Sequence, residues 1–386
     1  MNYLPLVIVM SAAMPLVASA KPRPSSPPRV AATQPAAPVP PRDSLASLQE
    51  KLDQVLAPSG VPIASFEQSP RDVLVDLASR AGVLARQPLG VQTQLAAGNL
   101  EMRAYNALAQ SAQQANRPGE ASLRIAQLRS SAQQIQQLSV EQAPAVGAFW
   151  LLQADLMDIA RNHPDLASRQ THSIAQLQKF LDDHGQSEMA LPVKVALLRV
   201  ALQAGQSDRV GVLWLELRRS LGRDDPQRVY LEQARVVLEL LGEPIELNLT
   251  TVEGQTWSLA QQRGRPVLIH VYAPGHGPSL ALVESIEKMS QALGEARVSM
   301  LSLAVNQAGA DGRDLSWPVV QLADDNPVWK TLGATALPWL VVVDADGKVA
   351  AVGQTAAVLE QIESLAPPEL APATQPASSE DRAELQ

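Results

Sequence analysis

The sequence predicts a multidomain chain, α-helical in its first part and α/β in its second. Three observations predict it. From about Ser44 to Gly242 the chain is rich in Ala, Leu, Gln and Arg, and its apolar residues recur at spacings of three and four, the period of one helix face. Beyond Gly242, apolar runs of strand length alternate with helical patterns, as in a sheet covered on both faces. The length of 386 residues exceeds one ordinary domain of ~100–200 residues, and Pro/Ala-rich stretches stand at both ends.

Composition narrows the function. With 46% hydrophobic and 18% charged residues, the chain has enough apolar material for a core and is not disordered throughout. A net charge of −8 argues against nucleic acid or anionic lipid as the main partner, since both need a basic face. Cysteine is absent. That excludes disulfides, Cys-ligated zinc, iron–sulfur clusters, thiol nucleophiles and thiol redox cycling.

Residues 1–20 read as a secretory signal peptide: Leu4–Val17 is an apolar run and Ala18-Ser19-Ala20 a small-residue cleavage site, with the cut expected after Ala20. The run is shorter than the ~20 residues that span a bilayer. The expectation is a periplasmic or secreted protein without a transmembrane anchor once the leader is removed. Residues 21–43 form a Pro/Ala-rich linker and residues 366–386 a disordered tail, both read as tethers.

The helical domain is expected over residues 44–242. Ser44 caps a first helix to Leu56 with Leu45, Leu48, Leu52 and Leu56 on one face. Ser69-Pro70 opens Arg71–Leu84, with proline at the tolerated first position. Further helices are expected at Leu100–Gln114, Gly119–Gln137, Ala145–Asn162, Leu166–His184, Met189–Ala204, Asp208–Leu221 and Gln227–Leu241. Gly185, Gly205, Gly222 and Gly242 stand at helix ends as left-handed caps. Gly185 and Gly222 are 37 residues apart, as are Gly205 and Gly242, close to the period of tetratricopeptide-like helical hairpins. The signature residues of that repeat are absent. A concave protein-binding solenoid and an irregular set of hairpins both remain open.

The α/β domain is expected over residues 243–365. Short strands are predicted at Glu246–Thr251 and Thr256–Ser258, then the continuous apolar strand Pro266–Tyr272. A helix Ser279–Leu293 follows, then strand Arg297–Val305, a short helix Pro327–Leu332 and strand Trp339–Asp344. Asp346-Gly347 turns the chain into Lys348–Gly353, and Thr355–Leu365 is the last helix.

Gly264–Ser279 (GRPVLIHVYAPGHGPS), Leu315–Val319 (LSWPV) and Asn326–Asp346 (NPVWKTLGATALPWLVVVDAD) carry a family likeness. In order and spacing they resemble the motifs of thioredoxin-like redoxins of the TlpA/ResA type, related to the AhpC/TSA group. These are exported thiol–disulfide reductases whose active site reads W-C-G-P-C. The resemblance implies a thioredoxin fold for the second domain. It also implies that His276 and Ser279, around Gly277-Pro278, stand where the family carries its two cysteines. Thiol–disulfide exchange by this chain alone is therefore excluded.

His270 falls at the family's relay position, and Pro338 at its cis-proline, beside which substrate peptides dock. Three function classes follow. The first is a redox-inactive protein- or peptide-binding module in the cell envelope, using the helices or the corner made by Tyr272, His276–Ser279, Pro338 and Trp339. The second is an enzyme with a non-thiol activity through His276 and Ser279, His276 acting as a neutral base. The third is a decoy that holds clients of active relatives. Trp339 has three readings: a docking contact, a block on the groove, or a core residue. His270 and His276 border one corner, but no third ligand stands at a clear spacing, so no metal and no cofactor is expected.

Overall fold

A computed structural model describes residues 44–56, 69–163, 165–294, 297–305, 315–323, 326–334 and 336–366. The expected leader, the 21–43 linker and the tail from residue 367 lie outside the described residues. The described residues fall into two compact units, one up to Val200 and one from Ala201.

The first unit is helical: α1 (Leu45–Leu56), α2 (Pro70–Ala85), α3 (Val91–Gln114), α4 (Pro118–Gln136), α5 (Ala143–Asn162), α6 (Leu166–His184) and most of α7 (Ala190–Gln203). From α2 to α6 each helix packs on the next. Their starts follow the sequence chemistry. Ser44 Oγ accepts the Ser47 N–H at 3.2 Å, and Ser69 Oγ accepts the Asp72 N–H at 3.2 Å with Pro70 as the first helical residue. Leu48, Leu52, Leu74, Leu77, Leu100 and Leu108 interlock α1, α2 and α3 in one apolar core. Helix α3 begins at Val91, ahead of the expected Leu100, because Leu95 and Ala97 already belong to its buried face.

The left-handed glycine caps occur at Gly205 (φ +72°) and Gly242 (φ +81°). Gly185 instead stays right-handed (φ −64°), since the Ser187 N–H closes a tight turn onto His184 O at 3.0 Å. Gly222 is not left-handed either, because the chain already leaves its helix at Leu221 in an extended conformation.

The second unit opens with α8 (Ser207–Ser220) and α9 (Arg228–Leu240), packed on each other. A small antiparallel pair follows, β1 (Asn248–Thr250) and β2 (Thr256–Ser258). The main elements are then β3 (Val267–Tyr272), α10 (Gly277–Leu293), β4 (Ser299–Val305), β5 (Val319–Leu322), α11 (Val328–Thr331), β6 (Trp339–Val343), β7 (Val349–Gly353) and α12 (Ala356–Leu365). The five-stranded sheet runs β5-β4-β3-β6-β7, with β3, β4 and β5 parallel and β6 and β7 antiparallel to their neighbours. Strand β5 begins at the end of Leu315–Val319, which only the family likeness marked as a strand entry. Its alternation of buried Val320 and Leu322 with exposed Gln321 is too short to register.

Leu268, Met300, Leu340 and Val342 face α10 and α12 in a common core with Leu282, Ile286, Leu359 and Ile362. Trp339, one residue out of phase with Leu340, points to the opposite face. It is fully buried there, and its indole N–H donates to Leu332 O at 3.0 Å. Helix α9 also meets the second domain: a Cβ on Gly333 would lie 3.4 Å from Val237. After α9 the Gly242 N–H donates to Val349 O at 2.8 Å, and the Val349 N–H donates to Glu243 O at 3.0 Å. These bonds tie the end of α9 to β7 within the second unit, which begins ahead of the change in composition at Gly242.

Helices α4 and α5 approach most closely at Gly147, where a Cβ would lie 2.7 Å from Ala132 O and also meet Gln136. Gly147→Val should therefore destabilise the helical unit by about 1–3 kcal/mol. Urea unfolding followed by circular dichroism reads this, and an unchanged midpoint would contradict the close approach.

Candidate functional site

The corner singled out by the sequence is built at the C-terminal end of β3. That strand is central, and all six of its residues are buried. Past Tyr272 the chain must turn into α10. Ala273-Pro274-Gly275-His276 makes the turn: the His276 N–H donates to Ala273 O at 3.1 Å, with proline second and a left-handed Gly275 (φ +81°) third. Pro274-Gly275 thus shapes the loop ahead of His276. His276 then adopts an extended conformation as the residue before α10, and Pro278 sits in the first turn of the helix.

The His276 and Ser279 side chains are brought together. His276 Nδ1 lies 2.9 Å from Ser279 Oγ, which also accepts the Ala273 N–H at 3.4 Å. Oγ has two lone pairs and one proton, so it can accept the amide and still either accept from Nδ1–H or donate to an unprotonated Nδ1, according to the imidazole tautomer. Partial burial pushes the His276 imidazole below its usual value, which favours the neutral form. The environment adds no charge, for no charged residue stands between Pro266 and Val283.

Chemically this is a hydroxyl hydrogen-bonded to a base, the first requirement of an activated nucleophile. Ser279, however, has no exposed surface. Its Oγ meets no external substrate in this conformation, and the bond ties the loop to the helix. The exposed part of the corner is Gly275, Gly277 and Pro278, flanked by half-buried Pro274 and His276.

His270 lies beneath, 1% exposed, and neither ring nitrogen has a hydrogen-bond partner. Its ring stacks on Tyr272 with centroids 5.1 Å apart and planes 15° from parallel. Burial lowers its pKa to about 3, so it is neutral at physiological pH. The strand ladder sets it beside Ser302 of β4 and Leu340 of β6, and Ser302 Oγ is taken by the Trp317 indole N–H at 2.8 Å. Tyr272 is also buried and packs on Val283 of α10 and Ala304 of β4.

Pro338 is buried, the Leu337–Pro338 peptide is cis, and Pro338 O accepts the Gln354 Nε2–H at 2.9 Å. Of the three readings of Trp339, the fully buried side chain corresponds to the core one. An apolar docking contact through Trp339 is corrected on that ground, because its ring is spent on the face turned towards α11. Gln354 was missed by sequence reasoning. No local motif marks it, and its role appears only when β7 and Pro338 are brought together.

Outside the corner, the described residues contain a buried carboxylate, Glu101, paired with Arg86 at 3.1 Å; burial raises its pKa and Arg86 counters. His163 and His172 stack with ring centroids 4.0 Å apart, another contact that sequence reading did not anticipate. Among the described residues no three His, Asp or Glu side chains converge as a metal site, and no helix is long and apolar enough to cross a membrane.

No protein-family model matches the chain, and no curated protein matches it. Solved structures do. The pneumococcal exposed lipoprotein thioredoxin of Streptococcus pneumoniae is 19% identical over 31% of this chain and 100% of its own, with a TM-score of 0.28. The thioredoxin domain of a thiol-disulfide oxidoreductase from Bacteroides vulgatus is 17% identical over 33% of this chain and 98% of its own, with a TM-score of 0.30. A thiol:disulfide interchange protein of Chlorobium tepidum is 19% identical over 33% and 95%, with a TM-score of 0.28. The likeness covers about a third of the chain. The part of the chain with this likeness holds the five-stranded sheet, with α10 crossing between parallel β3 and β4, and the chain has no cysteine.

The buried imidazole has a thermodynamic consequence. The folded pKa of about 3 lies below the ordinary 6.5, so only the unfolded chain takes up this proton as the pH falls below about 6.5. Stability from this group is complete above that pH. It is lost at up to about 1.4 kcal/mol per pH unit down to the folded pKa. His270→Leu should remove that slope between pH 6 and 4, as measured by urea unfolding across pH. A slope equal to that of the unsubstituted protein would mean that His270 is protonated while folded.

Proposed function

We propose that this chain is a redox-inactive thioredoxin-like protein that binds protein or peptide partners in the bacterial cell envelope. The observation that carries the reading is the pair at 276 and 279. The scaffold is that of a thioredoxin-like domain, yet His276 and Ser279 stand at its thiol positions in a chain without cysteine. Electron transfer through sulfur has no carrier here, so what remains of the reductase design is its capacity to present a surface.

The uncharged, exposed Gly275–Pro278 apex suits contact with an extended segment, with Tyr272 and Pro338 of the same corner buried. Helical hairpins packed each on the next would offer a second binding surface, in the manner of a tetratricopeptide-like repeat. The apolar Leu4–Val17 run and Ala18-Ser19-Ala20 support export with cleavage after Ala20, to the periplasm or the medium. The 2.9 Å His276–Ser279 contact favours the rival reading, a non-thiol enzyme, and the burial of Ser279 opposes it.

The test has two arms. In an insulin-reduction assay the protein should show no turnover above buffer, and H276C/S279C should gain it; turnover by the unsubstituted chain would overturn the redox-inactive reading. A photo-crosslinking residue at Gly277 should give adducts in the envelope, while one at the exposed Lys348, across the sheet, should not. Equal labelling at both positions would overturn binding at the apex.

A further inference from the structure

The sheet end that carries the candidate site also carries the N-terminus of β6 and the C-terminus of β7. Its ladder stops at Val271 opposite Trp339 and at Leu340 opposite Gly353. Strand β7 is the last strand of the sheet order, and the backbone groups on the outer side of such a strand are the ones an added extended segment would pair with. In this chain they are already engaged. The Gln354 N–H donates to Gln203 O at 2.6 Å, and the Gln354 side-chain Nε2–H donates to Pro338 O at 2.9 Å. Gln354 is buried in doing so.

The partner of this contact is the turn that ends α7. The Gln206 N–H donates to Ala201 O at 2.9 Å and the Gly205 N–H to Leu202 O at 3.3 Å, the paired bonds of a glycine-terminated helix. Those bonds leave the Gln203 carbonyl without an intrahelical amide, and it points to Gln354. The approach is close enough to require glycine on both sides. A Cβ on Gly205 would lie 2.9 Å from Val352 O, and one on Gly353 would lie 3.0 Å from the Gly205 nitrogen.

We propose that the Gln203–Gln206 turn is an intrachain cap on this end of the sheet, occupying the hydrogen-bonding positions that an extended partner segment would use. Docking there is coupled to release of the turn: the Gln354 N–H must give up Gln203 O before a partner strand pairs with β7. The coupling rests on the binding reading above. The seat of the turn does not.

The experiment uses the full chain. Gly205→Val wedges the turn away, because Gly205 sits at φ +72° against Val352 O. Gln354→Ala is the milder second variant, and melting curves check that both stay folded. Hydrogen exchange by mass spectrometry should rise at least tenfold over residues 350–356 in Gly205→Val and over 336–341 in Gln354→Ala. The binding probe is fluorescently labelled, reduced and carboxymethylated α-lactalbumin, a permanently unfolded chain, expected to bind Gly205→Val at least tenfold tighter than the unsubstituted protein. Unchanged exchange in both folded variants overturns the cap. Raised exchange with equal affinity overturns the coupling. Raised exchange with no binding by any of the proteins overturns the binding reading of this sheet end, while upholding the seat of the turn.

Discussion

Strand β3 is closed in on every side: β4 pairs with one edge, β6 with the other, and helices or side chains cover both faces. A strand so placed must hand its chain to the surface abruptly at its end, and the Pro274-Gly275 turn does this within four residues. The position of His276, the start of α10 and the depth of His270 all follow from that burial. His270 bears the cost, for a ring with two polar nitrogens lies where neither finds a partner and neutrality is the stable state.

The His276–Ser279 pair ties the loop after β3 to the start of α10. A hydroxyl seated beneath the loop accepts the Ala273 amide and shares a hydrogen bond with the imidazole, so the polar groups of the turn satisfy one another. With no charged residue from Pro266 to Val283, the exposed surface is a compact proline–glycine apex. Similar economy governs the far side of the domain. Trp339 fills the opposite face and bonds Leu332, and α9 leans on Gly333.

Much of the fold was legible because local signals agreed with it. The run Val267–Tyr272 read as a covered strand, Asp346-Gly347 as the β6–β7 turn, and Ser44 and Ser69 as helix caps, each from chemistry confined to a few residues. Strand β5 was illegible from local chemistry for the opposite reason: four residues give no period, and only pairing with β4 makes them a strand. Gly185 misled because glycine permits a left-handed conformation without requiring it. At the site, the pairing of positions 276 and 279 was readable from spacing, but the burial of Ser279 and Trp339 and the clamp by Gln354 were not.

What the sequence determined by itself is what covalent composition determines. A chain without cysteine performs no thiol exchange, and no folding alters that. Its apolar periods likewise dictated helices first and a covered sheet after. Only the tertiary structure decided that α8 and α9 belong with the sheet, that His270 is stranded without partners, and that Gln203, Pro338 and Gln354 meet. Those contacts join residues far apart in the chain, and their geometry exists only once the packed core has set the distances between them.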